Sequence, residues 1–176
     1  MSLFIIDVET DGPIPYKYSL ISIGAIKVIQ DIDIAPTFYR EICPISENWD
    51  KEALTVTGFT REETLNFQEP KKVMQEFSNW IFENNKNGRP VFISDNNSFD
   101  FAWINWYFHY FIGENPFGWS SRRIGDFYAG ITKDWYVQWK HLRKTPHTHN
   151  ALDDAKANAT ALLSIFEEYK IKINLK

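Results

Sequence analysis

Cysteine is nearly absent: Cys43 is the only one in 176 residues. An internal disulfide is excluded, a thiolate metal centre is disfavoured, and a reducing, cytoplasmic setting is expected. Basic charge is not in excess either, since 19 Lys and Arg stand against 23 Asp and Glu for a net charge of −4. That balance argues against a protein that coats nucleic acid through a broad basic surface, which needs many Lys and Arg contacts to phosphate. It leaves open a ligand gripped only at one end, because acids gathered around bound cations are offset locally by the metal charge. No uninterrupted apolar run is long enough to span a bilayer, and Met1-Ser2-Leu3-Phe4 has neither a basic start nor a small-residue cleavage pattern, so no membrane partner and no processed leader are expected. Repeats, low-complexity tracts and Pro/Gly-rich linkers are also missing, and residues 1–176 are expected to form one domain.

What is present is core material: 44% of residues are hydrophobic and 16% aromatic, ample for a single continuous core. Residues 3–8 (LFIIDV) are apolar except for Asp7 and read as a central strand buried on both faces. Leu20 to Ile29 and Ile34 to Ile42 read as two more strands, and short turns suggest an antiparallel meander. From Trp49 to Phe82 the pattern is helical, with Thr60 and Glu63 as a capping box and Val73, Phe77, Trp80 and Ile81 as an apolar stripe. A buried strand over 90–94, an aromatic helix over 98–110, a strand over 122–128 and a last helix from about Ala151 to Tyr169 complete the pattern. The stretch 132–149, mixing Trp135, Tyr136 and Trp139 with basic residues, has no readable periodicity. Strands alternating with helices after a meander imply an α/β domain with a mixed sheet.

The carboxylates carry the chemistry. Asp7 and Glu9 are two apart on a strand, so both point to one face while Ile6 and Val8 point to the other. Two like charges at the end of an apolar strand are costly unless a cation neutralises them, and a hard divalent ion with oxygen ligands suits them. A solvated strand end beside the turn Thr10-Asp11-Gly12-Pro13 weighs about equally on this motif alone. Asp100 opens the aromatic helix, where the helix dipole favours an anion. Yet it shares a face with Trp103, Tyr107 and Tyr110, expected to be buried. Asp95, in the loop before it, looks like turn chemistry. On the last helix Leu152, Ala155, Ala159, Leu162, Phe166 and Tyr169 form a core stripe, which leaves Asp154 nearer the protein and Asp153 nearer solvent. His149 precedes that helix, with His147 as its close competitor.

IIDVETDG, SFDFAWI and HNALDDA, in that order, resemble the three sequence blocks of the DEDDh 3′-to-5′ exonucleases, a superfamily with a ribonuclease H-like fold that includes polymerase proofreading subunits and ribonuclease T. WDKEALTVTGFTREE at 49–63 resembles the helical segment between the first two blocks, so the likeness spans nearly the whole chain. The resemblance selects Asp154 over Asp153 and His149 over His147. It implies that Asp7, Glu9, Asp100 and Asp154 hold two divalent cations, Mg²⁺ or Mn²⁺, and that His149 is the general base. The implied reaction releases nucleoside 5′-monophosphates from the 3′ end of single-stranded RNA or DNA, with RNA slightly favoured. Thr10 and Phe99 occupy positions that line the terminal nucleotide in relatives, and Trp103 suits either that role or the core. Lys140 to Lys144 are read as a solvated loop or a grip on the upstream backbone. A homodimer is implied by many family members, although no apolar patch is identifiable. The main alternative is a non-catalytic nucleic-acid-binding module on the same fold.

Overall fold

Asp7 interrupts an apolar run whose alternation decides where every other element packs. In the computed structural model, which describes residues 1–173, that run is β1 (Leu3–Thr10). Phe4, Ile6 and Val8 face one layer of the core and Ile5 faces the other. β1 pairs antiparallel with β2 (Leu20–Lys27), and β2 pairs antiparallel with β3 (Thr37–Glu41), the expected meander. β4 (Val91–Ser94) then lies parallel to β1, and β5 (Ser121–Arg123) parallel to β4, giving the order β3-β2-β1-β4-β5. The mixed α/β sheet expected from the pattern is present, with β1 at its centre. The last three residues of the expected domain, 174–176, lie outside the described residues.

The expected helical stretch is three helices, α1 (Lys51–Val56), α2 (Arg61–Thr64) and α3 (Pro70–Asn84). Gly58, at φ +79°, breaks the first, and Pro70 starts the third, where the Glu69 side chain accepts from the amides of Lys71 and Lys72 at 3.0 and 2.8 Å. The Thr60–Glu63 capping box forms as read. Val73, Phe77 and Ile81 of α3 and the buried residues of α4 (Asn97–Phe111) cover the Phe4/Ile6/Val8 face.

The opposite face is covered by α5 (Ile124–Thr132) and α6 (Ala151–Glu168). Here one expectation is corrected. Residues 122–128 are not one strand, because β5 ends at Arg123 and Ile124 begins a helix. Ile124, Tyr128 and Ile131 recur at i, i+4 and i+7 and pack inward together, a helical stripe that a seven-residue window is too short to reveal. A second correction concerns Tyr110, which is 64% exposed rather than buried, because the last turn of α4 runs past the core and the ring stacks on Trp106.

Candidate active site

Four carboxylates from three segments meet at the C-terminal end of β1. Asp7 and Glu9 project toward the α6 side of the sheet, and Asp154 enters from the first turn of α6. Oxygens of these three lie within 4.8 Å of one another. Asp154 is 1% exposed and Asp153 is exposed, so the helical wheel separates the neighbours as expected. Asp100, 3% exposed in the first turn of α4, comes from the other layer, and its Oδ2 is buried without a hydrogen-bond partner among the described residues.

A glycine makes the approach of α6 possible. Gly24 on β2 is the register partner of Asp7, and a Cβ there would stand 2.1 Å from the backbone carbonyl carbon of Ala151. With Ala151, Ala155 and Ala159 fully buried, the N-terminus of α6 lies directly on the sheet opposite Asp7. Asn150 caps the helix by accepting from the amides of Leu152 and Asp153 at 3.0 and 3.2 Å.

The electrostatics of the cluster are those of acids lacking counter-charge. Burial, followed by the charges of Asp100, Glu9 and Asp154, holds Asp7 well above the usual carboxylate range, with Arg143 opposing. Burial, with the Asp154 and Asp100 charges, pushes Glu9 up to about 8. Burial is also the main cause that pushes Asp100 up to about 7, with Asp95 adding to it and Ser94 opposing. Desolvation and like charge both favour protonation here. An all-oxygen donor set with an unpartnered buried carboxylate oxygen fits hard divalent cations.

The segment before α6 brings both histidines to this cluster. The amides of Thr148 and His149 donate to Asp154 Oδ1 and Oδ2 at 3.0 and 2.9 Å. His149 adopts φ +58°, and its exposed ring lies 4.2 Å from that of His147 between centroids. His147 Nδ1 contacts Asp154 Oδ2 at 2.7 Å. Desolvation lowers the His147 pKa, against the pull of Asp154.

Pattern reading missed the network that anchors this segment. Arg143, with its side chain only 7% exposed, donates from Nε to Asn158 Oδ1 at 2.9 Å and from Nη2 to Asp95 Oδ2 at 3.1 Å. Lys140 Nζ reaches the same Asp95 oxygen at 2.8 Å. Asp95 is therefore an ionic hub rather than a simple turn residue, and two cations of the 140–144 run are engaged within the fold. Residues 95, 143 and 158 are distant in sequence; the only local hint was Asn158, one helical turn from Asp154.

The terminal-nucleotide candidates occupy different environments. Thr10 Oγ1 donates to the Gly12 carbonyl at 2.8 Å and is buried. Phe99 is half-buried and meets Trp103 edge-on with centroids 6.0 Å apart. Trp103 is fully buried, and its indole Nε1 has no hydrogen-bond partner among the described residues.

Comparison with known proteins gives this arrangement a family. A model described as the 3′-5′ exoribonuclease Rv2179c-like domain matches residues 2–166. The chain is 36% identical over 166 residues to an Escherichia coli protein named 3′-5′ DNA exonuclease Cap18, covering 88% of this chain and 86% of the relative. It is 28% identical over 171 residues to the PolC-type DNA polymerase III of Thermotoga petrophila, covering 94% of this chain but 12% of the polymerase. Among solved structures, cell-death related nuclease 4 aligns with a TM-score of 0.75 at 16% identity, over 95% of this chain and 64% of the other. E. coli exonuclease I, in complex with a dT13 oligonucleotide, aligns with a TM-score of 0.73 at 15% identity, over 94% and 41% respectively. At those identities the two structures establish a shared ribonuclease H-like fold. With the family match running from β1 nearly to the end of α6, the chain belongs to the Rv2179c-like 3′-5′ exoribonuclease domain family, within the DEDDh 3′-to-5′ exonuclease superfamily.

Proposed function

We propose that the chain acts as one exonuclease domain over residues 1–176, removing nucleoside 5′-monophosphates from the 3′ ends of single strands in a divalent-cation-dependent reaction. The observation that carries this reading is the convergence of Asp7, Glu9 and Asp154 within 4.8 Å, with buried Asp100 beside them. When bound, two Mg²⁺ or Mn²⁺ ions would offset the carboxylate charge and stabilise the attacking and leaving oxygens of an in-line displacement. Asp7 would serve both ions, Glu9 and Asp154 one, and Asp100 the other.

His149 takes the proton of the attacking water at a ring nitrogen. Two features support that role: an exposed ring and an amide held by Asp154 at 2.9 Å, with imidazole a side chain suited to general-base work. His147, with Nδ1 on Asp154, is the less available of the two. Arg143 is a positioning residue, since it joins the histidine-bearing segment to Asp95 and Asn158. Phe99 presents its open edge to the terminal base, Trp103 backs Phe99, and Thr10 shapes the turn after Glu9. RNA is placed ahead of DNA, in line with the family description. The name of the E. coli relative favours DNA as a second reading.

The test is a 5′-labelled single strand, as RNA and as DNA side by side, incubated with Mg²⁺ or Mn²⁺. A ladder shortening by one nucleotide at a time is expected. Chelation or Asp7→Ala should abolish it, and His149→Ala should slow it by about 10²–10⁴-fold while His147→Ala retains most activity. A ladder that survives both chelation and Asp7→Ala would overturn the reading, and equal losses in the two histidine variants would reassign the base. Faster decay of the DNA strand would move the substrate to the second reading.

A further inference from the structure

An aromatic stripe on α4 leads away from the carboxylates and opens to water at its far end. Phe99, Trp103, Trp106 and Tyr110 stand at i, i+4, i+7 and i+11 on α4 and so share one stripe of the helix. Over those residues the helix rises by about 16 Å. Trp103 is core, Phe99 and Trp106 are half-buried, and Tyr110 is open. Trp106 and Tyr110 stack with centroids 4.6 Å apart and planes 13° from parallel. A third ring joins them from the loop that follows Glu9 and Thr10: Tyr16 meets Trp106 at 6.2 Å.

Tyr16 is the most informative member. It adopts φ +74° while remaining 73% exposed, so burial does not compensate for a conformation that bulky side chains rarely take. The loop is built to hold it there. At its base, fully buried Asp11 accepts from the Ser19 amide and pairs with Arg61 Nη1 at 2.9 Å. Pro13 and Pro15 restrict the backbone just before the ring. Lys17, next in sequence, is exposed and holds its ammonium over the Tyr18 ring, 5.4 Å from the centroid.

Planar rings with a neighbouring cation, continuous with a site that takes a strand end, match the chemistry of an unpaired strand: bases stack and phosphate pairs with the cation. We infer that Tyr16, Trp106 and Tyr110 form a stacking surface for the bases just upstream of the terminal nucleotide. This rests on the proposed exonuclease function and adds to it a dependence on strand length. A second copy of the chain is the other occupant such a patch could take, and the test separates the two.

The experiment measures kcat and KM over a series of single strands from dinucleotide to dodecanucleotide, for wild type, Tyr16→Ala, Tyr110→Ala and Tyr110→Phe. Wild-type KM should fall with length over the first few nucleotides and then level off. Each alanine variant should raise KM on the longer strands by about tenfold, leave kcat unchanged, and match wild type on the dinucleotide. Tyr110→Phe should behave as wild type, because the ring is retained. Unchanged KM at every length would overturn the inference, as would an equal loss on the dinucleotide and the dodecanucleotide. A change of oligomeric mass in Tyr110→Ala with unchanged KM would assign the patch to self-association instead. Wild type inactive at every length would remove the functional reading, an outcome distinct from a flat variant series on an active enzyme.

Discussion

Asp7, Glu9 and Asp100 lie where their charged forms are disfavoured, and that has a consequence for stability. Each has a folded-state pKa raised by burial and like charge: Glu9 to about 8 and Asp100 to about 7, from 4.5 and 3.8. A group raised in this way binds more protons folded than unfolded across that interval. Its contribution is complete below the unfolded pKa and is lost as pH rises through the folded value. Metal-free protein should therefore melt at a higher temperature near pH ~5 than near pH ~8. Glu9→Gln should flatten that decline, and Mg²⁺ or Mn²⁺ should reverse it at the higher pH, since a ligand of the native state stabilises it. Thermal melts in chelator across this range check it; a melting temperature that rises toward pH ~8 without metal would contradict it. At this scale the shared face of Asp7 and Glu9 was legible from strand period, though a solvated strand end weighed equally until the family blocks were added, and Asp154 was separated from Asp153 by its helical face. His149 came from family spacing. Arg143 and Asp95 were not legible, because an ion pair spanning 48 residues leaves no local periodicity.

α6 delivers Asp154, and its position depends on how closely it lies on β2. Gly24 sets that distance through contact with Ala151. Gly24→Ala must push the helix N-terminus away, at a cost of about 1–3 kcal/mol by the usual magnitude of overpacking. It should also lower exonuclease activity, because Asp154 leaves the cluster while its own residue is unchanged. Denaturant melts and the ladder assay read both effects; wild-type stability together with wild-type activity would show that the close approach is dispensable. Long, strongly periodic elements such as α6 and the β1–β3 meander were readable in the sequence. The β5–α5 junction was not, since Arg122 to Tyr128 offers apolar residues that a short window assigns equally to strand or helix. The 132–149 segment has no period to read. It contains a single 3₁₀ turn, Lys140–Leu142, and is held by ionic contacts and by Arg143 over the Trp139 ring at 5.1 Å.

At the scale of the whole molecule, two helical layers enclose a mixed sheet, and the ends of β1, α4 and α6 come together at one edge. The acids there belong to three separate sequence blocks, and topology alone makes them neighbours. A net charge of −4 is compatible with taking up a polyanion once cations sit among those acids. Among the described residues, no helix is long and apolar enough to cross a membrane. The central claim is that the four-carboxylate cluster is a divalent-cation site, and calorimetric titration of metal-free protein with Mn²⁺ addresses it most directly. The account predicts two ions per chain, loss of binding in Asp7→Ala, and unchanged binding in the exposed-neighbour control Asp153→Ala. Absence of Mn²⁺ binding by wild type, or binding by Asp7→Ala equal to that of wild type, would contradict it.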